Sequence, residues 1–252
     1  VMMISRFLAV LLALYSQASF SADEWLKDEV LKQLSELRQD NAKLHGEVDA
    51  LKKQLAGMDK GKPSKSAKPL AELIGGRATL GNAKAKLVVA EFTDFECPFC
   101  KKFSLTTFPE FKQRYVDTGK VQYVVRDFPL GFHAQAQAAA VAARCAGQQN
   151  AFWPMRQKLF ENQAKLGRDL YLSVAAELKL DSGKFKSCLD NPAMADAVGQ
   201  DVAYGNRVGV QATPTFLIGR IESGQVKDMK AVSGAMALGD FSKLIDSLVE
   251  SH

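Results

Sequence analysis

The chain has 252 residues, of which 47% are apolar and 24% charged, and a formal net charge of +5. That composition supports a sizeable folded core and excludes global disorder. Lysines and acids are interspersed and no basic stripe carries interleaved aromatics, which argues against a nucleic-acid partner.

Arg6 precedes the apolar stretch Phe7–Tyr15, and the small residues Ser16, Ala18, Ser19, Ser21 and Ala22 follow it. The pattern is that of a secretory signal peptide over residues 1–22, with an apolar run too short to span a bilayer. Cleavage is expected after Ala22, with Ala18 and Ser21 as alternatives. The competing reading is a short buried helix. Export implies an oxidising compartment, here the periplasm. The even set Cys97, Cys100, Cys145 and Cys188 then suggests two pairs.

Residues 23–57 carry apolar positions at steps of three and four. Leu34, Asn41, Val48 and Leu55 fall at heptad position a, and Val30, Leu37, Leu44 and Leu51 at d. This is a coiled-coil seam. Asn41 in the seam needs a matching amide on a partner strand, which favours a parallel, in-register homodimer. Glu47 facing Lys52 and Asp40 facing His45 suit the same arrangement. A trimer, or a single amphipathic helix lying on the globular part, are the alternatives.

Residues 58–74, rich in Gly, Ser, Lys and Pro, read as an exposed linker. The globular domain is expected over 75–252. There, Leu87–Phe95 reads as a buried strand and Pro98–Tyr115 as a helix kinked near Pro109. Val121–Val125 is a second strand. Residues 133–207 form a helical block, Thr215–Ile218 is a third strand, and a fourth lies near Lys230–Val232. A last amphipathic helix puts Phe241, Leu244, Ile245 and Leu248 on one face. The layout is α/β with a mixed sheet. Phe152, Trp153 and Phe160 read as core, and His133 as a helix-start residue without a catalytic role.

The chemistry centres on Cys97-Pro98-Phe99-Cys100, where an apolar strand turns into a helix. Two cysteines three apart can share one disulfide. The first sits where free backbone N–H groups and the helix dipole favour the thiolate, the form that attacks disulfides. Half a zinc site is the other reading of such a pair. It would need two more ligands, and only His133, Cys145 and Cys188 are available, so neither metal nor cofactor is expected. Glu91 is an acid in an otherwise apolar strand, six residues before Cys97. A carboxylate there needs a purpose or a partner, such as Lys120. Cys145 and Cys188, each on an expected helix, are read as a structural disulfide rather than free thiols.

Three segments together carry a family resemblance: Glu91–Cys100, the Ala143-Arg144-Cys145-Ala146-Gly147 helix, and Ala212-Thr213-Pro214-Thr215-Phe216. They resemble the DsbA-type thioredoxin-fold thiol–disulfide oxidoreductases over nearly all of residues 75–252. The resemblance implies a thioredoxin-like fold with a helical insertion over 133–207, and a cis Thr213–Pro214 peptide against the CxxC. It implies that Thr213, Pro214 and Phe99 contact substrate, and that Glu91 exchanges a proton with Cys100. Phe99 departs from the His that the strongest oxidants of the family carry. The expected Cys97 thiol is therefore lowered, but less extremely. The coiled coil and Thr213 resemble the isomerase-type members. They imply a homodimeric isomerase or reductase, with some oxidase activity, acting on misoxidised exported proteins and served by a membrane redox partner. A surface or chaperone-like binding protein with a vestigial CxxC, or a metal-handling thiol protein, are the alternatives.

Overall fold

A computed structural model of the protein describes residues 27–47 and 68–249. The chain divides into two compact units, residues 1–62 and 63–252. In the first, residues 27–47 form one helix, α1, on which Val30, Leu34, Leu37, Asn41 and Leu44 are all exposed. The expected seam residues Val48, Leu51 and Leu55 lie outside the described residues, as does the expected signal peptide. Among the described residues no helix is long and apolar enough to cross a membrane.

The second unit is built on a six-stranded sheet. Its strands are β1 (Lys68–Pro69), β2 (Ala78–Leu80), β3 (Leu87–Thr93), β4 (Val121–Asp127), β5 (Thr215–Glu222) and β6 (Gln225–Ser233), in the order β1-β6-β5-β3-β4-β2. β3 and β4 pair in parallel, and every other neighbouring pair is antiparallel. All seven residues of β3 and all seven of β4 are buried, which is why both are mainly apolar on both faces instead of alternating, with Glu91, Gln122, Arg126 and Asp127 as buried exceptions. Alternation still sorts their side chains. Leu87, Val89, Val121, Tyr123 and Val125 enter the larger core, whereas Val88, Ala90, Phe92 and Val124 enter the smaller one on the opposite face.

The first long helix runs as α3 (Pro98–Lys102), a π-turn (Phe103–Thr107), α4 (Phe108–Phe111) and a second π-turn (Lys112–Val116). The disturbance expected at Pro109 is therefore a widened turn just before it. A proline lacks the N–H that would bond one turn back, and a π-turn absorbs the misfit. Between β4 and β5 lie α5 (Ala136–Gly147), α6 (Phe152–Glu161), a 3-10 turn (Gln163–Lys165), α7 (Arg168–Glu177), α8 (Ser182–Leu189) and α9 (Pro192–Arg207). The last helix, α10 (Leu238–Val249), buries Phe241, Ile245 and Leu248. Gly205 on α9 lets the helix approach the sheet: a Cβ there would meet the Phe128 ring at 2.6 Å.

The expected linker ends earlier than residue 74. Lys68 and Pro69 pair with Val226 and Gln225, and α2 (Leu70–Ile74) buries Leu73 in the smaller core. Two strand residues and one turn of helix carry too little periodicity to separate them from a Lys- and Pro-rich linker. β2 escaped notice for the same reason, being three residues long.

Cys145 on α5 and Cys188 on α8 form a disulfide with Cα atoms 5.6 Å apart, closing a loop with a sequence separation of 43. Such a loop constrains the unfolded chain substantially. Replacing both cysteines by alanine is expected to lower the unfolding free energy by about 2–4 kcal/mol. Urea denaturation without reductant, in a background with Cys97 and Cys100 replaced by serine, measures it, and an unchanged midpoint would show that the bridge contributes nothing.

Candidate active site

β3 delivers its last side chains to the C-terminal edge of the sheet, and the chain there turns into α3. Cys97 is the N-cap residue of α3, in extended conformation, and Pro98 occupies the first turn, where no N–H is required. The turn is held by the carboxylate of Asp94. It accepts from the Glu96 N–H at 2.7 Å and the Leu130 N–H at 2.8 Å, and lies 2.8 Å from His133 Nδ1. His133 is thus not a helix-start residue, since α5 opens at Ala136. It joins the loop after β4 to the turn that carries the cysteines. Gln163, from the 3-10 turn, donates to the carbonyls of Phe95 at 2.7 Å and Cys97 at 3.0 Å.

The Thr213–Pro214 peptide is cis. It immediately precedes β5, which runs antiparallel to β3, with Phe92 opposite Thr215. Antiparallel pairing sets the end of β3 beside the start of β5. The Cys97 thiol accordingly donates to the Thr213 carbonyl at 3.3 Å, across 116 residues of sequence. The structure therefore brings Cys97, Cys100, Thr213 and Pro214 together. Phe99 stands at the rim with 60% of its surface exposed. Phe132, on the loop that carries His133, is 78% exposed and was not singled out from the sequence.

Cys97 and Cys100 are both free thiols here, and their environments differ. Cys97 is drawn down to about 5, chiefly by the hydrogen bond from the Cys100 thiol. The backbone N–H groups of Phe99 and Cys100 add to this, while burial opposes it. Cys100, fully buried, is pushed well up by burial first, then by its bond to Cys97 and the nearby charge of Glu91. One sulfur is a thiolate at neutral pH, and the other keeps its proton. That asymmetry suits an attacking sulfur paired with a resolving one.

Glu91 is fully buried on the same face of β3 as Leu87 and Val89, beneath α3. Its partner is not Lys120, which instead lies over the Tyr115 ring. The carboxylate is ion-paired with Arg156 of α6, whose Nη2 sits 2.8 and 3.1 Å from its two oxygens, and it also accepts the Tyr123 hydroxyl. Burial pushes the Tyr123 hydroxyl well up, so it remains a donor. Arg156 carried a signal that the sequence reading passed over. It is one charge set among Phe152, Met155, Leu159 and Phe160 on a helix face that is otherwise apolar. Tyr123 carried none, being one more aromatic in a buried strand. Among the described residues no group of three or more His, Cys, Asp or Glu is placed to hold a metal ion.

Folding lowers the Cys97 thiol. Its ionisation therefore stabilises the reduced protein above the ordinary thiol range, and that contribution disappears as pH falls through about 5. Ultraviolet thiolate absorbance of the reduced protein is expected to titrate with a midpoint near 5, and Cys97→Ser to abolish the transition. Alkylation at neutral pH should mark Cys97 and spare Cys100. A midpoint in the range of a free cysteine would show that the site does not activate the sulfur.

A family model described as "Thioredoxin" matches residues 74–246. The chain is 36% identical over 158 residues to "Na(+)/H(+) antiporter NhaA 3" of Salinispora tropica, covering 62% of this chain and only 24% of that protein's length. It is 32% identical over 148 residues to "Probable disulfide bond formation protein D" of Bacillus cereus, covering 56% of this chain and 68% of the relative. The crystal structure of α-DsbA1 from Wolbachia pipientis superposes with a TM-score of 0.61 at 26% identity, covering 72% of this chain and 96% of that one. The region that the family model matches contains strands β2–β6, the CxxC and the helical insertion, and with the disulfide-bond-formation relative and the DsbA structure beside it the chain belongs to the thioredoxin family, in its DsbA-like branch.

Proposed function

We propose that the protein is an exported thiol–disulfide oxidoreductase of the periplasm, acting on cysteines of secreted proteins. The observation that carries this reading is the unequal pair. A Cys97 thiol lowered to about 5 lies at the start of α3 against the Thr213 carbonyl, and a buried, protonated Cys100 lies behind it. Similarity to the Bacillus cereus relative, a probable disulfide bond formation protein, supports the same chemistry.

In this reading the Cys97 thiolate attacks a client disulfide and forms a mixed disulfide. The displaced client sulfur leaves as a thiolate and takes a proton from solvent. Cys100 then gives its proton to Glu91 and attacks Cys97. The second client sulfur is released, and the enzyme is left oxidised by two electrons. Ionisation of Cys97 frees the Thr213 carbonyl to accept a backbone N–H of an extended client strand. Phe99 and Phe132 offer it apolar contact. Resupply of electrons, or their removal when the enzyme works as an oxidase, falls to a membrane redox partner.

The α1 helix supports a homodimer, and with it an isomerase or reductase role. Val30, Leu34, Leu37 and Leu44 are 48–63% exposed along one stripe, the surface a second copy would bury. Two domains on one stalk would meet the same client, and the second encounter would proceed at raised effective concentration.

Two measurements test these statements. Reduction of a disulfide-bonded test protein by the wild type should vanish in Cys97→Ser; equal reduction by the variant would refute Cys97 as the attacking sulfur, and no reduction by the wild type would leave a binding or chaperone role. Deleting residues 23–57 should give a monomer with less isomerase and equal or greater oxidase activity. A dimer surviving the deletion would refute the stalk as its cause.

A further inference from the structure

The ion pair beneath the cysteines has a consequence for how long a client stays attached. Glu91 lies on β3 and is completely enclosed. Each of its oxygens already accepts from Arg156 Nη2, and one accepts from Tyr123 as well. The guanidinium has little freedom to swing away. It sits 4.9 Å from the Phe108 ring centre and 5.2 Å from that of Phe160, with Trp153 at 5.9 Å. The groups facing the carboxylate are few. β4 presents Tyr123 and α6 presents Arg156, while the α3 turn brings Cys100 and, beyond it, Cys97. β5 sets the non-titrating Phe216 opposite.

We propose that Arg156 is a positioning residue that restrains the resolving step: by holding Glu91 as a carboxylate it makes that carboxylate a poor acceptor for the Cys100 proton, and so prolongs the mixed disulfide between Cys97 and a client. The proposal rests on the oxidoreductase reading above and deepens it. In the restrained step the Cys100 S–H bond breaks and its proton goes to a Glu91 oxygen. The Cys100 sulfur bonds Cys97, and the bond from Cys97 to the client sulfur breaks. That sulfur departs with the electron pair and takes up the proton. Every hydrogen bond from Arg156 to Glu91 weakens when the carboxylate becomes an acid, so the ion pair opposes proton transfer directly. A long-lived mixed disulfide gives a client time to attack its own bond to the enzyme with another cysteine, which is what isomerisation requires.

The pH dependence is diagnostic. In the restrained step the proton passes from Cys100 to Glu91 within the pair, so none is exchanged with solvent. Resolution in the wild type should therefore be flat between roughly pH 6 and pH 8. Without the cation, desolvation drives the buried Glu91 to bind its proton more tightly. Resolution should then climb with pH to a plateau above the wild-type level. Each unit gained in proton affinity shortens the mixed disulfide by about tenfold. Lysine should restore the flat profile, because one nitrogen makes both contacts to the carboxylate.

The experiment uses the reduced full-length protein and oxidised glutathione as the probe. Samples are quenched in acid, and mass spectrometry follows the Cys97–glutathione adduct. The expected results are a flat resolution rate for the wild type, a faster and pH-dependent rate for Arg156→Met at the alkaline end, and recovery of the flat profile in Arg156→Lys. Glu91→Gln, which keeps its neighbours but has no base, should resolve in proportion to hydroxide. Should Arg156→Met not fold, the wild type and Glu91→Gln still decide. A wild-type rate that already rises tenfold per pH unit overturns the inference, as does a Glu91→Gln profile that matches the wild type. A folded Arg156→Met with the wild-type profile also overturns it. In those three cases the adduct still forms, and the oxidoreductase reading stands. No adduct at Cys97 in Cys100→Ser would sink both.

Discussion

The antiparallel pairing of β3 with β5 is the constraint on which the site depends. β3 ends in the turn that carries Cys97, and β5 begins at the residue after Pro214. Because the two strands run in opposite directions side by side, the end of one must meet the start of the other. Every ladder bond from Leu87–Arg220 to Phe92–Thr215 reinforces that meeting. A parallel arrangement would have carried the Thr213–Pro214 loop to the far edge of the sheet. The parallel neighbour β4 serves a different purpose. It supplies Tyr123 beside Glu91, and its trailing loop supplies His133 and Phe132 at the rim of the turn.

Helix geometry then divides the labour between the two sulfurs. At the N-cap, Cys97 looks onto N–H groups that have no helical partner, so charge on its sulfur is welcome. Cys100 lies one turn inside, sealed by α3 and the sheet, where charge is penalised and a carboxylate lies nearby. The order of the motif alone decides which sulfur is which. Reversing the roles would require the helix to end at the cysteines instead of beginning there.

The helical insertion is more than a cover. Through Arg156 it neutralises the one acid on the cysteine-facing side of β3, and through Gln163 it fixes the two carbonyls around the turn. Breaking a buried pair by removing one partner typically costs about 3–5 kcal/mol, so α6 is bound to the sheet electrostatically as well as by packing. A second buried cluster, where Arg77 and Arg126 converge on the enclosed Asp201 of α9 at 2.6 and 2.9 Å, ties the smaller core to the same insertion. The disulfide between α5 and α8 closes the insertion on itself.

Much of this was legible in the residues. The CxxC at a strand-to-helix junction and the anomalous Glu91 announce themselves locally, because each breaks the pattern around it, whereas the Thr213–Pro214 loop is marked only by the family resemblance. The long strands and helices did so through periodicity. β1, α2 and β2 did not, since elements of two to five residues are stabilised by their neighbours rather than by their own sequence. What the chain determined by itself was which residues are candidates for the chemistry and which sulfur has a helix start beneath it. Only the tertiary structure decided that Arg156 of the insertion, not Lys120, answers Glu91, that Tyr123 joins it there, that His133 meets Asp94, and that Gln163 holds the Cys97 carbonyl. Those contacts join residues tens of positions apart, and a one-dimensional pattern carries no record of which buried charge will face which.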